Sequence, residues 1–266
     1  MHRTALTERY LEALNVAAAP ASFELLSTLI TKHIATLSFS SIGVRLQDSL
    51  PLDLPAIFDR IVIERRGGYC FEQNALLFEV LQELGFDVDI KLARVIYGRD
   101  YLPGLTHRIT IVTLDQRPYV VDVGFGPNGP ATPVPLFEEQ SEDSEWKHRV
   151  HEFREGEYHM QSRKPEGPYS LYRFDLGQYG PSDCEIAHFY SQHHPDATFV
   201  NNLVVSRILD DEIHSLRNRT FIRIHPAGED VTTVNTSHQL HSLLRDEFGI
   251  KVSEAESHRL FSELST

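Results

Sequence analysis

Residues 65–74 read RRGGYCFEQN, which puts Cys70 just after a glycine pair and one tyrosine. Two adjacent glycines allow the backbone to turn tightly. Apolar residues then recur at the spacing of a helix: Leu77, Val80, Leu81 and Leu84. Gly85 follows at the position where a helix commonly ends in a left-handed residue. The stretch therefore predicts a tight turn and then a helix that begins at or just after Cys70.

A cysteine at the start of a helix is a candidate nucleophile. The unpaired N–H groups and the positive end of the helix dipole favour a thiolate there. The same N–H groups could stabilise an oxyanion formed when that thiolate attacks a carbonyl. The alternative is a buried cysteine that only packs, which is the commoner case for a lone cysteine. The neighbours of Cys70 in the fold decide between the two.

A candidate base and its partner, His107 and Asp122, lie on a predicted β-hairpin. Its strands are predicted at residues 107–114 and 119–123, with the turn-rich residues DQRP between them. With a two-residue turn at 115–116, the two side chains become diagonal neighbours on one face. A carboxylate fixes the tautomer of a histidine and stabilises its imidazolium, as a base for a thiol requires. The alternative is an edge-strand histidine and a solvent-facing carboxylate.

Directly after Asp122 the chain reads VGFGPNGP, residues 123–130. A glycine-rich turn that leaves a strand can present successive N–H groups to a phosphate. Such turns are more often purely structural, and the Walker pattern is absent. Two histidine pairs, at 148/151 and 238/241, have metal-like spacing but no further ligands, so we expect no metal site. The sequence has no Gly-x-Ser-x-Gly motif.

The composition of the 266-residue chain limits its class and its partners. Hydrophobic residues make up 41% and charged residues 24%, which is typical of a globular protein. The formal net charge is −13 without a basic stripe, so we expect no nucleic-acid partner. We find no secretory signal and no apolar run of membrane length. The sequence therefore predicts a cytoplasmic protein without a membrane partner, with both of its cysteines, Cys70 and Cys184, reduced.

The order of the predicted elements indicates an α+β protein in three units. Helices come first, and Ser22 is a candidate N-cap for one of them. From Asp87 the hydrophobic period changes to two, which is typical of strands. The last third mixes strands, predicted at residues 200–208 and 220–224, with a helix at 238–248 that ends before Gly249.

Taken together, these motifs resemble the arylamine N-acetyltransferase family. The likeness runs through most of the chain, with the Cys, His and Asp motifs in the family's order. It rests on IFDRIV (57–62), RGGYCFEQN (66–74), LGF (84–86), ARV (93–95), TH (106–107) and VDVGFG (121–126). The chain departs from the family's usual residues at 38–41, where SFSS replaces PFEN, at His188 and at Ala197.

The resemblance implies a fold of three units with a cysteine-protease-like catalytic core. Residues 1–85 would form a helical domain that carries the nucleophile. Residues 86–190 would form a central β-barrel that carries the histidine and the aspartate, and residues 191–266 a C-terminal α/β lid. The oligomeric state is left open.

The resemblance also implies an activity and a set of site residues. It implies a Cys-His-Asp triad of Cys70, His107 and Asp122. It also implies a ping-pong mechanism that moves an acetyl group from acetyl-CoA to arylamines or arylhydrazines, with a role in xenobiotic metabolism. Acetyl-CoA would be a co-substrate, with no permanently bound cofactor. Coenzyme contacts would come from Thr106, Gly124, Gly126, Asn128, Gly129 and Phe199, and acceptor contacts from Phe39, Val95 and Phe125.

Two other functions use the same residues. A transglutaminase-like enzyme or another thiol hydrolase can have the same Cys, His, Asp order, although the glycine-rich turn after Asp122 suits a nucleotide-bearing donor better. A binder without catalytic activity is a second alternative, which the intact triad residues disfavour.

Overall fold

The structure is a computed structural model that describes residues 3–137 and 146–264. Its elements fall into three successive groups along the chain. The first group is mainly helical: α1 (Arg3–Leu14), α2 (Phe23–Thr36), the short strand β1 (Phe39–Ser40), α3 (Ile42–Leu46), α4 (Leu54–Phe58), a π-helical turn (Asp59–Ile63) and α5 (Cys70–Glu83).

Local chemistry determines the start of α5, which begins at Cys70 as predicted. Tyr69 stays extended before the helix, and its N–H group donates to Glu72 Oε2 at 3.2 Å. This bond satisfies a donor that would otherwise be buried without an acceptor. Gly67 has a φ of +69°, and a Cβ atom there would lie 2.7 Å from the carbonyl oxygen of Ser38. A larger residue therefore cannot take this turn without displacing the chain.

Two further predictions about helix ends are confirmed. The Ser22 hydroxyl accepts a 3.2 Å hydrogen bond from the N–H group of Leu25, so Ser22 is the N-cap of α2. Gly85 follows the last residues of α5 with a φ of +85°, the left-handed conformation that glycine adopts at low cost.

The second group of elements is a strongly curved antiparallel sheet. Its strands are β2 (Asp87–Val95), β3 (His107–Leu114), β4 (Arg117–Val121), β5 (Val134–Pro135), β6 (His148–Arg154), β7 (Glu157–Lys164) and β8 (Gly167–Phe174). They lie in the order β5-β4-β3-β2-β8-β7-β6, and the two ends of this order approach each other, so the sheet forms a nearly closed barrel.

The β3–β4 hairpin has the tight turn that the sequence allowed. Asp115 and Gln116 form a two-residue turn with φ values of 49° and 62°, which matches the twist of the flanking strands. The predicted second strand at 119–123 was wrong in its bounds. Strand β4 begins at Arg117 because the turn uses only two residues. It ends at Val121, and Asp122 instead bonds to the turn that follows.

The third group combines helices with a second antiparallel sheet. The elements are α6 (Pro181–His193), α7 (Thr198–Asn201), β9 (Val204–Ile208), β10 (Ile213–Arg217), β11 (Thr220–His225), β12 (Gly228–Thr233), α8 (Ser237–Asp246) and α9 (Glu254–Ser262). The sheet has the order β1-β9-β10-β11-β12, so it includes a strand from the N-terminal group.

The strand predicted at 200–208 was wrong over its first residues. Residues 198–201 form the short helix α7 instead, because the carbonyl of Thr198 accepts from both the backbone and the side chain of Asn202, at 2.9 and 3.0 Å. Strand β9 begins only at Val204. The strand predicted at 220–224 and the helix predicted at 238–248 are confirmed with small shifts of their ends.

Helices and antiparallel sheets lie in successive parts of the chain, so the predicted α+β class is confirmed. The helices α1, α2 and α5 bury one core, and this core extends to Val112 and Val121 of the barrel. The helical group and the barrel therefore share apolar packing at the point where α5 meets β3. The exact division at residues 85/86 and 190/191 stays a prediction. No helix in the described ranges is long and apolar enough to span a membrane.

Candidate active site

Cys70 is buried, with 2% of its surface exposed, and it lines a cavity of about 430 Å³. It is the first residue of α5, and its Sγ lies 3.7 Å from the carbonyl oxygen of Thr106. His107, the next residue along the chain from Thr106, lines the same cavity. The turn before α5 and the start of β3 therefore bring the thiol and the imidazole to one opening.

His107 and Asp122 form the contact that the hairpin predicted. Their Nε2 and Oδ2 atoms are 2.7 Å apart, and both side chains are buried. In the hairpin register Thr110 pairs with Val121, which makes His107 and Asp122 diagonal neighbours. Because Nε2 contacts the carboxylate, Nδ1 is the imidazole atom that remains to accept a proton from Cys70.

The Asp122 carboxylate has hydrogen bonds on both oxygens. Oδ1 accepts from the side chain of Asn74 and from the backbone N–H group of Gly124, each at 2.9 Å, while Oδ2 faces His107. A buried carboxylate is costly unless such donors surround it. The two donors therefore both stabilise the charge of Asp122 and fix its direction toward His107.

The paired charges shift both pKa values in opposite directions. Burial lowers the pKa of His107, but the Asp122 carboxylate and the contact with Cys70 outweigh it and raise the pKa to about 10. Burial raises the pKa of Asp122, but the charge of His107 and the hydrogen bonds from His107, Asn74 and Gly124 have the larger, opposite effect. The pKa of Asp122 is therefore lowered overall. The site therefore stabilises an imidazolium beside a carboxylate.

Two residues of this site were missed in the sequence. Asn74 is one helical turn after Cys70, and this spacing on α5 is the signal that could have identified it. Tyr172 comes from β8, and its ring centroid lies 5.0 Å from that of His107. Burial, with Asp122 close by, raises the pKa of its hydroxyl well above the usual value. Nothing in the sequence near His107 points to Tyr172.

The cavity contains part of the predicted binding set. Its walls include the predicted residues Val95, Thr106, Gly124, Phe125 and Phe199. Phe39 is not part of the wall. It is buried behind Phe199, with ring centroids 5.6 Å apart.

The glycine-rich turn begins at the cavity and continues away from it. Gly124 is packed so closely that a Cβ atom there would lie 2.7 Å from Cys70 Cα. Gly126 has a φ of +91°, and its carbonyl accepts from the N–H group of Gly129 at 3.1 Å. Gly126, Asn128 and Gly129 are outside the cavity wall. The turn is therefore a distinct surface beside the cavity.

Several wall residues were not predicted. The segment between β2 and β3 contributes Arg99 and Tyr101, and the last third contributes Tyr190, Asp196 and Thr198. In the described part of the chain, no group of three or more His, Cys, Asp or Glu side chains could hold a metal ion.

Comparison with known proteins identifies the family. The sequence profile of a family described as N-acetyltransferase matches residues 22–257. The arylamine N-acetyltransferase of Escherichia coli (strain K12) is 31% identical, over 98% of this chain and 95% of the relative. The arylamine N-acetyltransferase / N-hydroxyarylamine O-acetyltransferase of Salmonella typhimurium is 34% identical, over 88% of this chain and 84% of the relative.

Solved structures of arylamine N-acetyltransferases have the same fold as this chain. The arylamine N-acetyltransferase structure from Salmonella typhimurium superposes with a TM-score of 0.91 at 30% identity, covering 98% of this chain and 99% of that one. The Mycobacterium marinum enzyme in complex with CoA gives a TM-score of 0.90 at 25% identity, over 97% of this chain and 100% of that one. The predicted acyltransferase class is confirmed over the thiol-hydrolase alternative. This chain belongs to the arylamine N-acetyltransferase family and is an acetyl-transferring enzyme.

Proposed function

We propose that this chain moves an acetyl group from acetyl-CoA to the nitrogen of arylamines or arylhydrazines through a thioester on Cys70. The observation that carries the proposal is the 2.7 Å contact between His107 and Asp122 at the cavity that Cys70 lines. A structurally similar Mycobacterium marinum enzyme binds CoA, which supports acetyl-CoA as the donor.

In the first half-reaction, Cys70 takes the acetyl group. Nδ1 of His107 accepts the thiol proton, and the sulfur attacks the carbonyl carbon of acetyl-CoA. The N–H groups in the first turn of α5 stabilise the oxyanion of the tetrahedral intermediate. The carbon–sulfur bond to the coenzyme then breaks, and the coenzyme leaves with the proton from His107. The products are an acetyl-enzyme and free coenzyme A.

In the second half-reaction, the acceptor nitrogen attacks the thioester carbonyl. His107 takes the proton from the nitrogen and returns it to the sulfur of Cys70 as the thioester bond breaks. Asp122 stabilises the imidazolium in both half-reactions and keeps Nδ1 directed at the cavity. The products are an N-acetylated acceptor and the starting enzyme, so one site serves both substrates in turn.

The remaining assignments follow from position. The turn at 124–129 would hold the coenzyme pyrophosphate with its backbone N–H groups, with Thr106 and Phe199 as further contacts. Val95 and Phe125 would contact the acceptor, and Phe39 would support Phe199 from behind. The helical, barrel and α/β lid domains, at 1–85, 86–190 and 191–266, are part of the same proposal, as is a cytoplasmic location.

Intact mass spectrometry after mixing with acetyl-CoA alone tests the proposal. We expect the mass of one added acetyl group on the natural protein and on Cys184→Ser, and none on Cys70→Ser. Cys184 is the matched control because it is the other free cysteine and is equally buried. A label on Cys184 would refute the assignment of the nucleophile. Acetate release without an acceptor, at the rate of acetyl transfer, would instead favour a thiol hydrolase.

A further inference from the structure

Arg99 puts a positive charge into the wall of the cavity that Cys70 lines. It lies on the segment between β2 and β3, and its Nη2 donates to the Thr198 hydroxyl at 3.0 Å. Its Cζ is 5.6 Å from the ring centroid of Tyr101. Among the residues that the structure describes, no carboxylate forms an ion pair with this guanidinium. Thr198 and Tyr101 thus hold Arg99 in place and leave its charge unneutralised.

Such an arginine is suited to an anionic ligand. A guanidinium has several N–H donors in one plane, and the bond to Thr198 uses only one of them. The other donors match the two oxygens of a carboxylate or a phosphate. Charge-assisted hydrogen bonds of this kind are among the stronger ones, especially where aromatic walls reduce contact with water.

The size and walls of the cavity favour a ligand with a single ring. About 430 Å³ is near the lower end of the range of roughly 300–1,000 Å³ that is usual for small-molecule sites. Besides Tyr101, three aromatic side chains line it: Phe125, Tyr190 and Phe199. A flat ring between these walls would lie in the cavity that Cys70 and Arg99 both line.

We propose that Arg99 selects acceptors that carry a carboxylate on the ring, away from the amine that attacks the thioester. This inference rests on the proposed function. The coenzyme also carries anionic groups, but the whole pantetheine arm separates its phosphates from its sulfur. When that sulfur is at Cys70, we expect the phosphates to lie beyond a cavity of about 430 Å³. A ring carboxylate and an amine, by contrast, are separated by a single ring.

Asp196 lines the same cavity and carries the opposite charge. It forms no ion pair with Arg99 among the described residues, so its carboxylate does not neutralise the guanidinium. A carboxylate on the acceptor would be repelled by Asp196 and attracted by Arg99. The two residues therefore form a pair of variants with opposite expected effects.

The test compares 4-aminobenzoate with its methyl ester, which has the same ring and amine but no charge. Transfer from the isolated acetyl-enzyme is measured for each acceptor. In Arg99→Gln we expect the ratio of kcat/KM for the acid to that for the ester to fall about 10- to 100-fold, mainly through KM. Arg99→Lys should restore part of the ratio, and Asp196→Asn should raise it. Arg154→Gln, at an exposed arginine on β6, is the control for a general change of charge.

Three results would overturn the inference. The ratio could stay within about twofold of the natural value. That change is smaller than the loss of a hydrogen bond to a charged group would cause. Both acceptors could be affected equally, which would mean that Arg99 only positions Thr198. Arg99→Gln could instead raise the KM of acetyl-CoA in the acetylation step, which would assign the guanidinium to a coenzyme phosphate. Failure of the natural protein to form an acetyl-enzyme would refute the proposed function itself, independently of Arg99.

Discussion

Asn74 fixes Asp122 from a different part of the chain. Its Nδ2 donates to Asp122 Oδ1 at 2.9 Å and to the carbonyl of Arg108 at 2.6 Å, while its own Oδ1 accepts from the N–H group of Val123 at 2.9 Å. One amide on α5 therefore connects β3 and the chain segment just after β4. Since α5 also begins at Cys70, this side chain ties the position of Cys70 to that of Asp122.

The first prediction concerns this amide. Asn74→Ala should lower turnover by about 10- to 100-fold, because Asp122 loses a donor and its direction toward His107 is no longer fixed. It should also lower the free energy of unfolding by about 1–3 kcal/mol, since buried partners are left unsatisfied. Steady-state kinetics and urea unfolding measure the two effects. Native turnover in a folded variant would show that Asp122 needs no help from Asn74.

The second prediction concerns Asp122 itself. Asp122→Asn should lower acetyl-enzyme formation by about 10³- to 10⁴-fold, because an amide neither stabilises the imidazolium nor selects the right tautomer. The pKa of His107 should fall from about 10, since its carboxylate partner is lost. Stopped-flow release of coenzyme A and NMR titration of the histidine are the measurements. Circular dichroism must first establish that the variant is folded, and rapid acetylation of that folded variant would exclude Asp122 from the mechanism.

The third prediction concerns stability in acid. His33 is buried between the Tyr10 hydroxyl and the Gln73 amide, each 2.7 Å away. Burial lowers the pKa of His33 to about 4, although the bond to Gln73 opposes it. The pKa of His33 in the folded protein lies below the unfolded value of 6.5, so protonation favours the unfolded chain. The stability that neutral His33 contributes is therefore complete above pH 6.5 and is lost as the pH falls toward 4. The loss should reach up to about 3 kcal/mol.

Urea unfolding between pH 7 and pH 4 measures this loss. His33→Gln keeps a hydrogen-bonding side chain but cannot titrate, so its free energy of unfolding should fall less steeply over the same range. Equal slopes for the two proteins would mean that other groups cause the acid sensitivity.

The fourth prediction separates the donor surface from the acceptor wall. Gly126→Val should slow acetylation by acetyl-CoA equally for all acceptors, because a φ of +91° strains a branched residue and its side chain would occupy the proposed phosphate site. Phe125→Ser should instead lower transfer more than acetylation and change the order of preference among arylamines. Pre-steady-state coenzyme A release, followed by transfer to a panel of amines, measures both. If Gly126→Val leaves acetylation unchanged, the coenzyme binds elsewhere.

Local patterns in the sequence were enough for a large part of the site. The glycine pair and the helical period predicted the start of α5 at Cys70, and turn chemistry with strand parity predicted the contact of His107 with Asp122. The same reasoning gave the wrong bounds for β4. Because the turn uses only residues 115 and 116, the strand already begins at Arg117 and ends at Val121. These predictions depend on short turns and on periodic spacing within at most 15 positions, where backbone geometry is set locally.

The sequence by itself determined the α+β class, the start of α5 at Cys70 and the parity of the hairpin, because helix period, glycine turns and strand alternation act over short distances. Only the tertiary structure decided which distant residues support the candidate site and line its cavity. Asn74 reaches Asp122 across 48 positions, Tyr172 comes from another strand to contact His107, and Arg99 meets Thr198 of the last third at 99 positions away. Such contacts form when apolar faces of distant elements pack together, so local periodicity in the sequence does not predict them.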